Sequence, residues 1–111
     1  MAKSYTRQEN ADWWREHLRR LINEGEQLRP FDSSDESTDL LAHKAAVEGW
    51  LARAVEEVSL IYGDPMITAE FCRPLGELDW DKTPRAEAGE FLRREVGDRV
   101  EGFRQLMENT A

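Results

Sequence analysis

The chain is poor in the residues that most often carry chemistry. It has one cysteine and two histidines in 111 residues. A lone Cys72 excludes an internal disulfide, and two histidines spaced far apart cannot furnish a structural zinc site by themselves. No apolar run approaches the roughly 20 residues that span a bilayer, so no membrane-crossing helix is expected. The opening Met1-Ala2-Lys3-Ser4 leads directly into charged sequence, so no secretory leader is expected and a cytoplasmic location is. Glycine-rich phosphate loops are missing, as is any serine or cysteine with a base at nucleophile spacing. No catalytic residue, cofactor or metal is expected.

Basic charge is also scarce. Fifteen Lys and Arg stand against 23 Asp and Glu, for a net charge of −8. The imbalance is local: residues 1–31 sum to +1, residues 32–90 to −9, and residues 91–111 to zero. Direct nucleic-acid binding needs clustered cations that displace counterions, and only Arg15, Arg19 and Arg20 come close. Those three are interleaved with Glu16 and Glu24, a helix-surface pattern. The acidic middle, chiefly Asp32, Asp35, Glu36, Asp39, Glu77, Asp79 and Asp81, is either a solvated surface or one that meets a basic partner.

The chain does contain long stretches with a 3.6-residue apolar period, and none with sustained alternation. Thr6-Arg7-Gln8-Glu9 has the form of a capping box and predicts a helix over 7–28, with Trp14, Leu18, Leu21, Ile22, Gly25 and Leu28 on one face. Pro30 ends it. The polar stretch 32–39 reads as a linker, with Ser33 and Glu36 as a second capping box and Ser34 or Ser37 as alternative caps. The helix that follows runs to Tyr62 and stops at Gly63. Its apolar positions, Leu40, Val47, Trp50, Leu51, Ala54, Val58 and Ile61, widened by Val55 and Tyr62, predict a central helix with two neighbours. Asp64-Pro65 opens a short helix to Cys72 with Met66, Ile67 and Phe71 on its apolar side. Residues 73–83 form a loop, and Thr83-Pro84 launches a last helix to Glu108. Its core stripe is Leu92, Val96, Val100, Phe103 and Met107, with Gly89 on the stripe and Gly97 and Gly102 off it. The expected fold is all-α: one domain over 1–111, an antiparallel bundle of three long helices and a short one, with residues 1–6 frayed and 29–36 and 73–83 as loops.

His17 and His43 both fall on or beside apolar stripes, where a packed histidine with one hydrogen bond is the ordinary outcome. Small helical ribonucleases place an Arg a few residues before such a His. Here Asn10, Ala11 and Asp12 precede His17, and Glu36, Ser37 and Thr38 precede His43. Glu87-x-x-Glu90 and Glu95-x-x-Asp98 resemble the magnesium ligands of all-helical nucleotide pyrophosphatases. In those enzymes the pairs lie on different helices and converge. Here both sit on one helix and read as a charged outer face supported by Arg93, Arg94 and Arg99. Cys72, beside Phe71, is expected to be buried and inert.

Surface aromatics are the remaining candidates. Trp13 lies about 100° from Trp14 on a helical wheel, Phe91 about 140° from Val96, and Trp80 falls between Asp79 and Asp81 in a loop. Exposed together, Trp13, Trp80 and Phe91 would be aromatic anchors within an acidic rim formed by Asp79 and Asp81, a surface suited to a protein partner with a basic face. Self-association is left open. The competing expectation is an acidic inhibitor, an antitoxin or phage-encoded antagonist, that fills the basic groove of a nucleic-acid enzyme.

Residues 46–71 add a resemblance. An apolar helix ends at Ile61-Tyr62-Gly63, and a short polar segment leads to Phe71. This is similar to the helical accessory module that precedes TIR-like or other nucleotide-binding effector domains in bacterial phage-defence proteins. With the last helix matching the module's closing helix, the resemblance spans most of residues 40–107. Pro65 and Met66 replace the usual serine-containing stretch, and no effector domain is expected to follow. The resemblance implies a free-standing sensing or docking module, active in phage–host conflict, with no catalytic residues to carry over. Because both carboxylate pairs fall on one helix, calorimetric titration with magnesium should show no stoichiometric binding. A clear one-site isotherm would contradict this.

Overall fold

Four helices account for most of residues 4–31 and 39–110, which the computed structural model describes: α1 (Trp14–Leu28), α2 (Leu40–Tyr62), α3 (Pro65–Phe71) and α4 (Arg85–Asn109). No strand occurs among the described residues, where Tyr5 and Thr110 form one isolated bridge. The fold is the all-α bundle of three long helices and one short one.

Local chemistry explains most boundaries. Asp39 caps α2, its carboxylate accepting from the amides of Leu41 at 3.0 Å and Ala42 at 3.2 Å. The serine caps considered above lie outside the described residues. Gly63 stops α2 at φ +66°, a left-handed conformation that costs a side-chain-bearing residue energy. Asp64 then caps α3 through the Met66 amide, with Pro65 in the first turn. α4 starts without a side-chain cap: Pro84 itself holds the N-cap position, and Thr83 does not act as one.

α1 departs from expectation. It begins at Trp14 with no side-chain cap, seven residues beyond the predicted start. The capping-box segment serves a different helix. The Gln8 amide donates to the Ile61 carbonyl at 2.8 Å, and Gln8 Nε2 donates to the Leu60 carbonyl at 3.1 Å. Both are acceptors that the end of α2 cannot satisfy internally. Tyr5 is likewise held rather than frayed: its amide donates to Asn109, and its ring meets Phe71 edge-on at 5.3 Å.

The helix directions follow from the pairs they make. His17 meets Glu57 and Glu24 meets Arg53, so α1 and α2 are antiparallel. Gly25 faces Val100 and Gly97 faces Arg29, so α1 and α4 are antiparallel too. α2 and α4 therefore run parallel. α1 makes its widest contact with α4, so α2 is not the sole central element; it touches α1, α3 and α4.

The core centres on Trp50, which is fully buried. Its indole N–H donates to the Leu21 carbonyl at 3.0 Å, and its ring meets Phe103 at 5.8 Å, edge to face. Gly25 provides the notch: a Cβ there would collide with Val100 and with the Trp50 ring. Gly89 does the same for Phe31. Gly97 and Gly102, unexplained by the sequence pattern, lie against Arg29 and Phe71.

Three apolar assignments shift. Leu106, not Met107, is the fully buried residue in the last turns of α4, one position round the helix from the expected stripe. Met66 points to solvent on the outside of α3, and Val55 is exposed on α2. Trp50→Ala should lower unfolding free energy by about 3–5 kcal/mol in urea titrations, since it empties a large site and orphans the Leu21 contact. A loss below about 1 kcal/mol would contradict Trp50 as the centre of packing.

Candidate functional site

The site forms where the 73–83 loop crosses α2 and α4, and a buried cation fixes that loop. Arg99 is 4% exposed. Its Nε donates to the Arg73 carbonyl at 2.8 Å, Nη2 to the Pro74 carbonyl at 2.6 Å, and Nη1 to the Glu95 carbonyl at 2.7 Å. The Glu95 carboxylate stands 3.6 Å from the same guanidinium and accepts from the Gly76 amide at 2.5 Å. A desolvated charge needs such partners, and here they are the main chain of the loop itself. The sequence pattern places Arg99 and Glu95 on the outer face of α4, and the structure instead buries Arg99 beneath the loop. The spacing contained the signal, because Arg99 follows Val96 by three and precedes Phe103 by four, on the buried stripe.

Beyond this clamp the chain turns at Asp79. Its carboxylate accepts from the Asp81 and Lys82 amides at 3.1 and 3.2 Å, and its carbonyl accepts from Thr83 at 2.9 Å. The turn leaves Asp79 and Asp81 exposed and directs Trp80 back onto the bundle. Trp80 is half-buried: its ring meets Phe91 of α4 edge-on at 5.9 Å, and Lys44 Nζ of α2 lies 5.2 Å from the ring centroid. Lys44 also pairs with Glu48 at 2.7 Å.

Trp80, Phe91, Asp79 and Asp81 are thus gathered at one end of the bundle. Trp13 is not with them. It stacks on His17 at 4.5 Å, and His17 bonds Glu57. Glu57 lies thirteen residues along α2 from Lys44, about 20 Å away. The three aromatics therefore form two separate features.

Between α2 and the loop lies an open cleft of about 500 Å³. Leu51, Val55, Cys72, Leu75 and Trp80 give it apolar walls, with Lys44 and Glu48 at its polar edge. Glu77, Asp79 and Asp81 lie exposed on the loop that carries Trp80, while Glu87 and Glu90 of α4 line a separate hollow with Leu78, Thr83 and Phe91. Sequence alone named the aromatics and the acids but not the cleft, whose two walls are at least seventeen residues apart in the chain.

The histidines are packing residues with tertiary partners. His17 Nδ1 lies 3.2 Å from Glu57 Oε1, a carboxylate forty residues distant that no local motif reveals. His43 stacks on Phe31 at 5.3 Å; burial pushes its pKa below the ordinary value, opposed by a hydrogen bond to the Leu28 backbone. No cluster of three or more metal-ligating side chains occurs among the described residues.

Cys72 is buried beside the cleft, and desolvation pushes its thiol pKa up to about 12, despite the opposing Arg99 charge. The thiol should therefore resist Ellman's reagent in native protein at pH 8 and react fully once urea unfolds the chain. Rapid native labelling would contradict the assigned burial.

Comparison with known proteins finds no matching family model, no matching curated protein and no matching solved structure for this chain.

Proposed function

We propose that this chain is a non-enzymatic protein-interaction module that seats a basic segment with an apolar tip, supplied by a partner protein, in the cleft beside Trp80. One observation carries the reading: an open, apolar-walled cleft of about 500 Å³ sits next to a Trp–Phe pair, beside a loop turn that holds Asp79 and Asp81 exposed on either side of Trp80. Interfaces concentrate their binding energy in aromatic anchors and well-packed pockets, and surrounding charge selects the approaching partner and speeds encounter. Arg99 and Glu95 support the reading because they hold the loop in place before binding, which reduces the ordering cost of association. The segment that resembles a phage-defence accessory module, 46–71, supplies one wall of the cleft. This supports a docking role in phage–host conflict.

Affinity capture across a salt series tests the proposal. A protein retained at moderate salt should be lost with Trp80→Ala, weakened about 30-fold or more as at a binding hot spot, and kept with Trp13→Ala. Circular dichroism should show Trp80→Ala still folded. Two outcomes overturn the reading: a partner indifferent to Trp80→Ala, or binding that collapses between low and moderate salt. The second would mark charge mimicry of nucleic acid in its place.

A further inference from the structure

The Trp80 cleft does not end at Val55. A second hollow of about 420 Å³ adjoins it, and Val55 and Cys72 line both. One wall is α2 throughout: Lys44, Glu48, Ala52 and Val55 beside the cleft, then Val55 and Ser59 beside the second hollow. Steps of three or four residues keep these side chains on one face of the helix. The facing wall is the loop at Pro74–Gly76 with Trp80, and farther along it is Thr68, Ala69 and Pro65 of α3. The two hollows thus form one groove that follows α2 from Lys44 to Gly63, about 28 Å.

This groove is held open before anything enters it. Leu51 and Cys72 are buried in its floor, and the exposed side chains of Ala52, Ser59 and Ala69 are too short to fill it. Arg99 fixes the loop wall of the near half. In the far half the Ser59 and Thr68 hydroxyls meet at 3.2 Å and tie α2 to α3. The 40% exposure of Val55 has its place here, at the junction of the two halves.

Main-chain chemistry selects the form of the occupant. An extended segment binds by pairing its backbone with a free edge, and this groove offers almost none. The helical backbones of α2 and α3 are bonded internally. On the loop wall the Pro74 carbonyl accepts from Arg99, Pro74 has no N–H, and the Gly76 amide donates to Glu95. A helix needs no such edge, because its own hydrogen bonds are internal. A straight groove of about 28 Å matches a helix of about five turns, with apolar side chains every three or four residues meeting Trp80, Val55 and Ala69. Carboxylates stand at both ends: Asp79 and Asp81 on either side of Trp80, and Asp64 in the far wall. Lys44 is already matched by Glu48 at 2.7 Å. A second copy of the chain, at net charge −8, would meet like charge there.

We propose that the occupant is an amphipathic helix of a partner protein, about five turns long, laid along α2 with its apolar face in the groove and basic residues towards both ends. The proposal rests on the reading of the Trp80 cleft as a docking site. It adds the conformation and length of what docks, and it makes the hollow between α2 and α3 the far half of the same site.

Selection of a displayed library of random peptides, about 20 residues long, on the immobilised full chain tests it. Circular dichroism and thermal melts of each variant are the folding control. Enriched peptides should carry apolar residues at the helical period over about five turns, with Lys or Arg towards both ends. Synthesised singly, they should gain helical circular dichroism on binding. Trp80→Ala should weaken them about 30-fold, and Ala69→Arg and Ser59→Arg, from opposite walls of the far half, each about tenfold or more. Peptides that need Trp80 but tolerate both arginine variants, or that bind without helical signal, overturn the helix and leave the cleft standing. Peptides indifferent to Trp80→Ala, or no enrichment at all, overturn both readings. A wild type that sediments as a dimer until Ala69→Arg is introduced makes the occupant a second copy and overturns the partner helix.

Discussion

The packing of one indole ring against a missing side chain sets the geometry of the whole bundle. Trp50 reaches from α2 across α1 to α4, and it fits only because Gly25 leaves its ring and Val100 room. Its N–H is satisfied by the Leu21 carbonyl, so the largest core residue leaves no buried donor unpaired. With α1 drawn this close on one side, the parallel helices α2 and α4 cannot also close on the other. Their contact is the narrowest among the three long helices. The opposite side is filled by α3 and the 73–83 loop. Phe71 seats against Gly102 at one end, and Trp80 lies between Lys44 and Phe91 at the other. The cleft is what remains of that gap.

Arg99 turns the gap into a defined surface. Most ion pairs here are exposed, such as Arg20 with Glu16 and Arg93 with Glu90, and each contributes about 0–1 kcal/mol. Arg99 differs because its charge has left water and depends on main-chain carbonyls for solvation. The loop cannot lift away without exposing those carbonyls and stranding the guanidinium. Solvating one charge and placing Trp80 are therefore a single structural event. That coupling gives a loop with no regular secondary structure a fixed conformation.

The sequence made α2, α3 and α4 legible where the signal was local and uncontested. Gly63, Asp64 and Pro65 act on their immediate neighbours, and no distant group competes with them. It misled at α1 because a capping box is a local pattern, whereas Gln8 finds stronger use at the unsatisfied end of α2. Arg99 was misassigned because a charge was read as outward despite a buried register. Leu106 and Met107 lie 100° apart, on opposite flanks of the stripe that centres on Phe103, and packing buries the Leu106 flank. The site was half legible. Its aromatics and acids stand out in the chain, but that Trp80 joins Phe91 and not Trp13 follows from where three helices cross.

The acidic excess has a second physical role once α2 is seen whole. A helix that buries Trp50 on one side and exposes Leu41 and Leu60 on the other would promote nonspecific association in a chain of low net charge. Here nine surplus negative charges are concentrated in residues 32–90, the stretch that contains α2. Mutual repulsion between copies opposes that association. The high net charge therefore offsets the apolar exposure along this one helix.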